Sequence, residues 1–332
     1  MVYDCMSDQP AFSSGGETYM RVPRVGTPQE LRQERPDAVI VGAPVDWATT
    51  HRPGARFGPR AIRTASNLRR GAYHLALEVY PFRTLRVFDY GDADIAPGDI
   101  ERSHAAVKQR VRDVVDAGAV PVVLGGDHSI TYPSAAAVAE ALGVGRVGVV
   151  HLDAHADTAD EAWGVALSHG TPIRRLITSG AVPGPNFVQI GLRGYWPPDD
   201  VWRWMRERGM RWHLMEEIER DGLDAVLDRA LAEMAEHADS IYLSVDIDVV
   251  DPGSAPGTGT PEPGGLMPRE LLRAVRRVAL ETKLVALDVV EVSPPYDGPA
   301  GVTAEVAHRV VLETLSALAS KRSGRTPGPV SP

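Results

Sequence analysis

The chain has 332 residues, 43% of them hydrophobic and 24% charged, which is ample for the core of one large α/β unit and ordinary for a soluble protein. A formal charge of −9 disfavours nucleic acid or an anionic membrane as the main partner and is compatible with a small cationic substrate. Only one cysteine, Cys5, is present, so no intramolecular disulfide can form, and no apolar run approaches the roughly 18 residues of a membrane span. The opening "MVYDCMSDQP" lacks the basic-then-apolar order of a signal peptide, and a cytoplasmic location is expected.

Residues 1–36 are polar and irregular and read as an N-terminal arm. From residue 38 short apolar runs alternate with amphipathic segments. Strands are predicted at 38–44, 85–92, 120–129, 146–158, 186–194, 240–252 and 283–295. Helices are predicted at 58–77, 104–118, 131–142, 199–208, 222–237, 268–281 and 303–320, the first opened by a proline and the second closed by a glycine. The strand runs are too continuous for half-exposed antiparallel pairs. Helical segments separate most of them, which favours a parallel sheet covered by helices on both faces. No linker interrupts the alternation, so residues 37–320 read as one domain. The Pro/Gly/Ser-rich end, 321–332, reads as a disordered tail.

The charge in this pattern collects at strand ends. In "HLDAHADT" Asp153, His155 and Asp157 stand at every second position after an apolar run, and alternate residues of a strand share a face. "SVDID" repeats the device with Asp246 and Asp248, "LGGDHS" contributes His128, and "VVEVSPP" contributes Glu291. All four segments put polar groups at the C-terminal end of a predicted parallel strand, the edge where open α/β sheets bind ligands. Singly, an aspartate at a strand end is an ordinary turn or cap residue, and "GGDH" an ordinary turn. Together, four carboxylates and two imidazoles converging on one place would repel unless a cation neutralised them. Zinc sites use fewer ligands, richer in His and Cys, whereas an oxygen-rich set with some imidazole suits Mn²⁺, and six ligands suit two ions. Two such ions can acidify a shared water, which points to hydrolysis of a weakly electrophilic carbon. No G-x-S-x-G elbow competes with this, and Cys5 lies in the arm.

"GGDHSI", "HLDAHADT" and "SVDIDVVDPGSAPGTGTPEPGG" resemble the signature segments of the ureohydrolases, the arginase/agmatinase family, over roughly residues 35–320. The resemblance implies a three-layer αβα arginase-like fold with an eight-stranded parallel sheet. It also implies two Mn²⁺ ions per subunit, a guanidino substrate cleaved to urea and an amine, and a homo-oligomer, trimer or hexamer. Carried over by position, His128, Asp153, Asp157 and Asp248 would hold one ion, and Asp153, His155, Asp246 and Asp248 the other. By the same resemblance His169, in "LSHGTPIRR", would be a proton shuttle, Glu291 would pair with the substrate guanidinium, and Asp153 would act at the reacting centre. The residues alone leave His169 an ordinary loop histidine and Glu291 an ordinary strand-end carboxylate.

The loops bear on the substrate. Arginases carry an acidic residue after "IGLR" where this chain has Gly194, and "ADEAWGVAL" lacks their Asn/Ser/Thr-rich run, so arginine is disfavoured. "HGTPIRR" and "PGTGTPEPGG" are closer to agmatinases and to guanidino-acid hydrolases of the guanidinobutyrase or proclavaminate amidinohydrolase type. The expected substrate is a decarboxylated, cationic one such as agmatine, with the guanidino acids as the alternative. Trp163, Tyr195 and Trp196 are candidate pocket walls, since aromatic faces suit alkyl chains and cations, or else they fill core or interface. Arg174 and Arg175 could meet a carboxylate, and Asp160 and Glu161 an ammonium. Gly298 and Pro299 depart from the agmatinase-like pattern in the last loop. A zinc-dependent amide hydrolase on the related deacetylase fold is a competing expectation, as is a degenerate non-enzymatic paralogue, although none of the six ligands is missing.

Overall fold

The computed structural model describes residues 18–67 and 72–324. Eight strands form one all-parallel sheet: β1 (Ala38–Ala43), β2 (Val87–Asp92), β3 (Val120–Gly125), β4 (Val147–Leu152), β5 (Phe187–Leu192), β6 (Arg211–Leu214), β7 (Ser240–Asp246) and β8 (Leu284–Val290). Their order is β2-β1-β3-β8-β7-β4-β5-β6. The inner strands β1, β3, β4 and β5 are almost entirely buried, as helices on both faces require. Each of the seven predicted runs holds a strand; β1, β2 and β5 fill most of theirs, whereas β3, β4, β7 and β8 end well before the predicted boundaries.

β6 escaped the sequence reading. "RWHL" alternates polar and apolar residues over four positions and lies at the sheet edge, so it carries no apolar run to detect. The helix predicted over 58–77 ends at Ser66; beyond the undescribed residues His74 pairs with Val79 in a tight turn, and Glu313 holds the His74 ring. Part of the expected arm is built into the domain. Tyr19, Val22, Val25 and Leu31 are buried, and Tyr19 spans from Asp89 through its backbone N–H to the His308 carbonyl through its hydroxyl. Thr27 caps the short helix Pro28–Glu34. Residues 1–17 and 325–332 of the expected arm and tail lie outside the described residues, and the final helix, Val302–Arg322, runs through the expected tail boundary.

Strand order places the site. The four strands that deliver the predicted ligands, β3, β8, β7 and β4, are the central four and are contiguous. The chain leaves β3 and enters β4 on the far side of β8 and β7, a reversal of direction that opens a crevice at the C-terminal edge. Gly126, just past β3, lets that edge close up: a Cβ there would lie 1.8 Å from the Val45 carbonyl oxygen. Among the described residues no helix is long and apolar enough to cross a membrane.

Candidate metal centre

The cage is built at and just beyond the strand ends. β4 ends at Leu152, so Asp153, His155 and Asp157 occupy the following loop, where Asp157 takes a positive φ of 51°. β7 ends with Asp246, and Asp248 lies in the 3₁₀ turn Ile247–Val249, its N–H bonded to Asp246 Oδ1 at 2.9 Å. The expected period-two alternation of a strand is therefore not what gathers these groups. Loop and turn geometry does, and it sends Asp246 and Asp248 to different places.

His128 Nδ1 stands 3.1 Å from Asp153 Oδ2, 3.0 Å from Asp157 Oδ2 and 3.0 Å from Asp246 Oδ2. His155 Nδ1 lies 3.0 Å from Asp248 Oδ2 and 3.6 Å from Asp153 Oδ1. Two clusters result, each with ligand atoms within 4.8 Å of one another: His128, His151, Asp153 and Asp157, and then Asp153, His155 and Asp248. Asp153 belongs to both. The partition carried over from the resemblance gave Asp248 to the His128 ion and Asp246 only to the other. Here Asp246 faces His128, and Asp248 faces His155.

The donor chemistry fits a cation. His128 Nε2 lies 3.0 Å from Ser244 Oγ, and that hydroxyl donates to Asp288 Oδ1 at 2.7 Å. Ser244 can therefore only accept from the ring, which places a hydrogen on Nε2. In the neutral ring Nδ1 is then a lone pair facing three carboxylate oxygens, an arrangement that needs a positive charge at its centre. In the metal-free protein a second ring proton supplies it. Burial works to lower the His128 pKa, but Asp157, followed by Asp153 and Asp246, outweighs burial and raises it well above the usual range. Asp246 is pushed up first by burial and then by Asp248 and Asp153, as expected of carboxylates crowded without a metal.

A row of polar residues lies under the cage. Gln189 on β5, His151 on β4, Ser244 on β7 and Asp288 on β8 are successive register partners across four strands, and all are fully buried. Asp288 accepts hydroxyl hydrogen bonds from Ser244, Thr131 and Tyr242 at 2.6–2.7 Å. None of this layer was singled out from sequence. Its signal is a polar residue inside an apolar strand, as in "VVHLD", "VQIGL", "LSVD" and "ALDVV".

Beside the cage, Glu291 Oε1 accepts from the His128 backbone N–H at 2.8 Å and pairs with His169 Nδ1 at 3.0 Å. Its Oε2 is buried without a hydrogen-bond partner, and a Cβ on Gly259 would lie 3.0 Å from it. Glu291 holds a positive φ of 62°, a strained backbone for a side-chain-bearing residue. On the other edge of the imidazole, Thr50 Oγ1 is 2.7 Å and Thr50 N 3.2 Å from His169 Nε2. The Thr50 hydroxyl can donate to a neutral ring or accept from a charged one, so it serves either protonation state. Burial works to lower the His169 pKa, but Glu291 outweighs it and raises it to about 9.

The remaining predicted residues take no part in the contacts just described. Trp163, Tyr195 and Trp196 are 83%, 99% and 68% exposed and fill no core. Arg175 is tied to Asp160 through its side chain and carbonyl, and Arg174 bonds the Thr158 carbonyl and stacks on Trp204. Neither arginine is free for a substrate carboxylate, and Asp160 is neutralised. At the Gly298-Pro299 departure, Asp297 caps the final helix by accepting from the Thr303 and Ala304 N–H groups, so the novelty stays within the loop.

Residues 36–316 match the family model described as "Arginase family". The chain belongs to the arginase family. It is 42% identical over 317 residues to guanidinopropionase of Pseudomonas aeruginosa, covering 93% of each chain. It is 39% identical over 291 residues to mitochondrial agmatinase of Gallus gallus, covering 88% of this chain and 84% of the relative. The solved structure of proclavaminate amidinohydrolase from Streptomyces clavuligerus superposes with a TM-score of 0.83 at 36% identity, over 94% of this chain and 99% of that one. The fold is thus the arginase-like α/β fold, and the chain is an arginase-family amidinohydrolase acting on guanidino compounds, with the family's metal dependence matched by the His/Asp clusters. Family membership displaces the deacetylase-type alternative.

Metal binding should register in stability. A ligand at 100 times its Kd adds about 2.7 kcal/mol, which in a chain of this size is a rise of roughly 5 °C in Tm. Saturating Mn²⁺ added to metal-free protein is expected to give at least that, reversed by EDTA. The gain should grow as pH rises from 6 to 8.5. Raised histidine pKa values mean that protons hold the empty cage together at low pH and are lost as pH climbs through those values. Metal must displace those protons, so it competes better at higher pH. A melting temperature indifferent to Mn²⁺ at both pH values would count against the cage.

Proposed function

We propose that this protein is a two-manganese ureohydrolase that releases urea from a short linear guanidino acid of the guanidinopropionate or guanidinobutyrate kind. The observation that carries the metal assignment is His128 Nδ1, a lone pair facing three carboxylate oxygens. On this reading His128, Asp153, Asp157 and Asp246 hold one ion, and Asp153, His155 and Asp248 the other. The carboxylate-rich donor set favours Mn²⁺ over zinc. Bound there, the ions supply Lewis acidity and acidify water at neutral pH.

The chain's own residues do the rest. Glu291 Oε2, buried and unpartnered, accepts from the substrate guanidinium in a charge-assisted hydrogen bond. His169 carries a proton between Glu291 and Thr50, from where it can reach the departing amine. The strained Glu291 backbone and the close approach of Gly259 fix the acceptor before substrate arrives.

The tail of the substrate is assigned from the charges left without an ion-pair partner at the mouth. The segment from Asp46 to Arg56 packs on the strand end that carries Glu291: Thr50 touches His169, and a Cβ on Gly54 would meet Ser293 and Pro295. From that segment the Arg52 guanidinium rests over the Tyr296 ring, 5.4 Å from its centre, and among the described residues it makes no ion pair. It is placed to take a carboxylate. Two of the three relatives named above are a guanidinopropionase and a proclavaminate amidinohydrolase, both named for carboxylate substrates. Asp160, the loop acid that could have met an ammonium, is already satisfied by Arg175.

A second reading keeps agmatine, the substrate expected from the loops. A Cβ on Gly194 would lie 2.7–3.0 Å from the Glu262 carboxylate, so an acidic group stands beside the position where arginases place theirs. Among the described residues Glu262 has no ion-pair partner, and it could take an ammonium tail.

Urea release with Mn²⁺ present, compared across 3-guanidinopropionate, 4-guanidinobutyrate, agmatine and arginine, separates the readings. The acids are expected to have the highest kcat/KM, and Arg52→Gln to raise their KM about tenfold or more while sparing agmatine. Agmatine preferred, with Glu262→Gln raising its KM instead, would establish the second reading. No urea from any of the four would remove both.

A further inference from the structure

Distances alone make His151 a ligand. It is fully buried on β4, its Nε2 is 2.8 Å from Asp153 Oδ2, and its ligand atom falls in the cluster with His128, Asp153 and Asp157. Its neighbours point the other way. Gln189 Nε2 lies 2.7 Å from the Ala156 carbonyl oxygen, which can only accept, so that atom is the amide nitrogen and the side chain cannot be flipped. The same nitrogen is 2.8 Å from His151 Nδ1 and has a second hydrogen to give it. Nδ1 therefore carries the lone pair and Nε2 the hydrogen. A protonated ring nitrogen cannot coordinate a metal.

We propose that His151 is a positioning residue of the metal centre: it presents an Nε2–H donor to Asp153 Oδ2 and is not itself a ligand. This rests on the metal reading given above. The contrast with His128 supports it, because the same accounting gives opposite results for the two rings. Ser244 accepts from His128 Nε2 and frees Nδ1 toward the carboxylates, whereas Gln189 donates to His151 Nδ1 and commits Nε2 as a donor. The rings sit side by side, centroids 4.9 Å apart, so the polar row under the cage sets one as ligand and the other as donor.

Geometry also shows what the donor is for. Asp153 Oδ1 accepts the His155 backbone N–H, while Oδ2 has no well-aligned hydrogen bond, and neither does His151 Nε2. Each is the nearest complement of the other. A donor on that side fixes the rotation of the carboxylate shared by both clusters, so that its free lone pairs face the ions. Partners of this type commonly contribute 10–100-fold in metal affinity.

The test is Mn²⁺ binding by full-length, metal-stripped protein, with stoichiometry from elemental analysis and affinity from calorimetry. His151→Leu, which has no donor, is expected to keep two ions per chain but bind them 10–100-fold more weakly. His151→Gln, whose amide N–H reaches about as far as Nε2, should recover most of that loss. Gln189→Met removes the donor that commits Nδ1 to the lone pair and leaves the neutral ring free to take either tautomer. It should weaken binding if His151 is a donor and strengthen it if His151 is a ligand, so it decides the matter even if the leucine variant does not fold. Loss of one whole ion from both His151 variants, or tighter binding by Gln189→Met, overturns the proposal. Wild-type protein that binds no Mn²⁺ overturns the metal reading itself, a result distinct from either.

Discussion

Asp153→Asn is expected to abolish urea release, with a fall of at least about 10³-fold, or ~4 kcal/mol of transition-state stabilisation. Asp153 is the one residue common to both clusters, so a single lost charge weakens both halves of the cage. The substitution is isosteric, and the asparagine carbonyl can still accept the His155 N–H that Asp153 Oδ1 now accepts at 2.6 Å. The fold should therefore survive. Metal-free protein should lose some stability: burial works to raise the Asp153 pKa, but His151, His128 and His155 outweigh it and hold it well below the usual carboxylate range, so its charge stabilises the empty cage. Relief of Asp246 and Asp248, pushed up first by burial and also by Asp153, offsets part of that loss. The distinguishing signature is a folded protein that melts cooperatively without metal, together with loss of the Mn²⁺-induced rise. Urea release within tenfold of wild type would show that the shared carboxylate is not needed and would undo the two-cluster assignment.

The same residue shows how far the sequence can be read. Six ligand candidates and Glu291 were legible because charge at the end of an apolar run is conspicuous against a buried sheet, whereas His169, a loop histidine, was reached only through the family resemblance. Strand order could not be read from the runs, yet it is what makes β3, β8, β7 and β4 neighbours and brings residues 128, 153, 246 and 291 together. The partition of ligands was carried over from the resemblance, and the metal-free geometry pairs Asp246 with His128 and Asp248 with His155. Period-two logic, which holds inside a strand, does not describe these positions, since Asp248 lies in a 3₁₀ turn and Asp157 in a left-handed loop conformation. The layer of Gln189, His151, Ser244 and Asp288 was passed over because each is a single polar residue in an apolar strand. Only register reveals that the four are adjacent. Composition does not encode burial for loops, so the exposure of the aromatic candidates could not be read from it: Trp163 and Tyr195 are both on the surface. Glu262 shows the converse. Gly194 read as the loss of an acid, and the structure fills the same space with a carboxylate from a loop 68 residues farther on.

Glu291→Gln is expected to lower kcat/KM by about 10²–10³-fold and to change how the rate depends on pH. Two effects combine. The amide cannot offer a charged acceptor to a guanidinium at the site of Oε2, which raises KM. It also removes the charge that dominates His169. Burial favours the neutral imidazole there, and Glu291 is the principal influence lifting its pKa to about 9. Without the carboxylate, burial is left with less opposition, and the ring loses its proton at lower pH. The sign follows directly. The His169–Glu291 pairing is complete below the ordinary histidine pKa of about 6.5 and is lost as pH rises through about 9, so a rate that needs the imidazolium falls on the alkaline side. In the variant that alkaline limb should move toward neutrality. Mn²⁺ stoichiometry should stay at the wild-type value, because Glu291 belongs to neither cluster. A variant with the wild-type pH profile and a lower rate would leave Glu291 as a substrate anchor alone and deny it the second role. One with fewer bound ions would make it part of the cage instead.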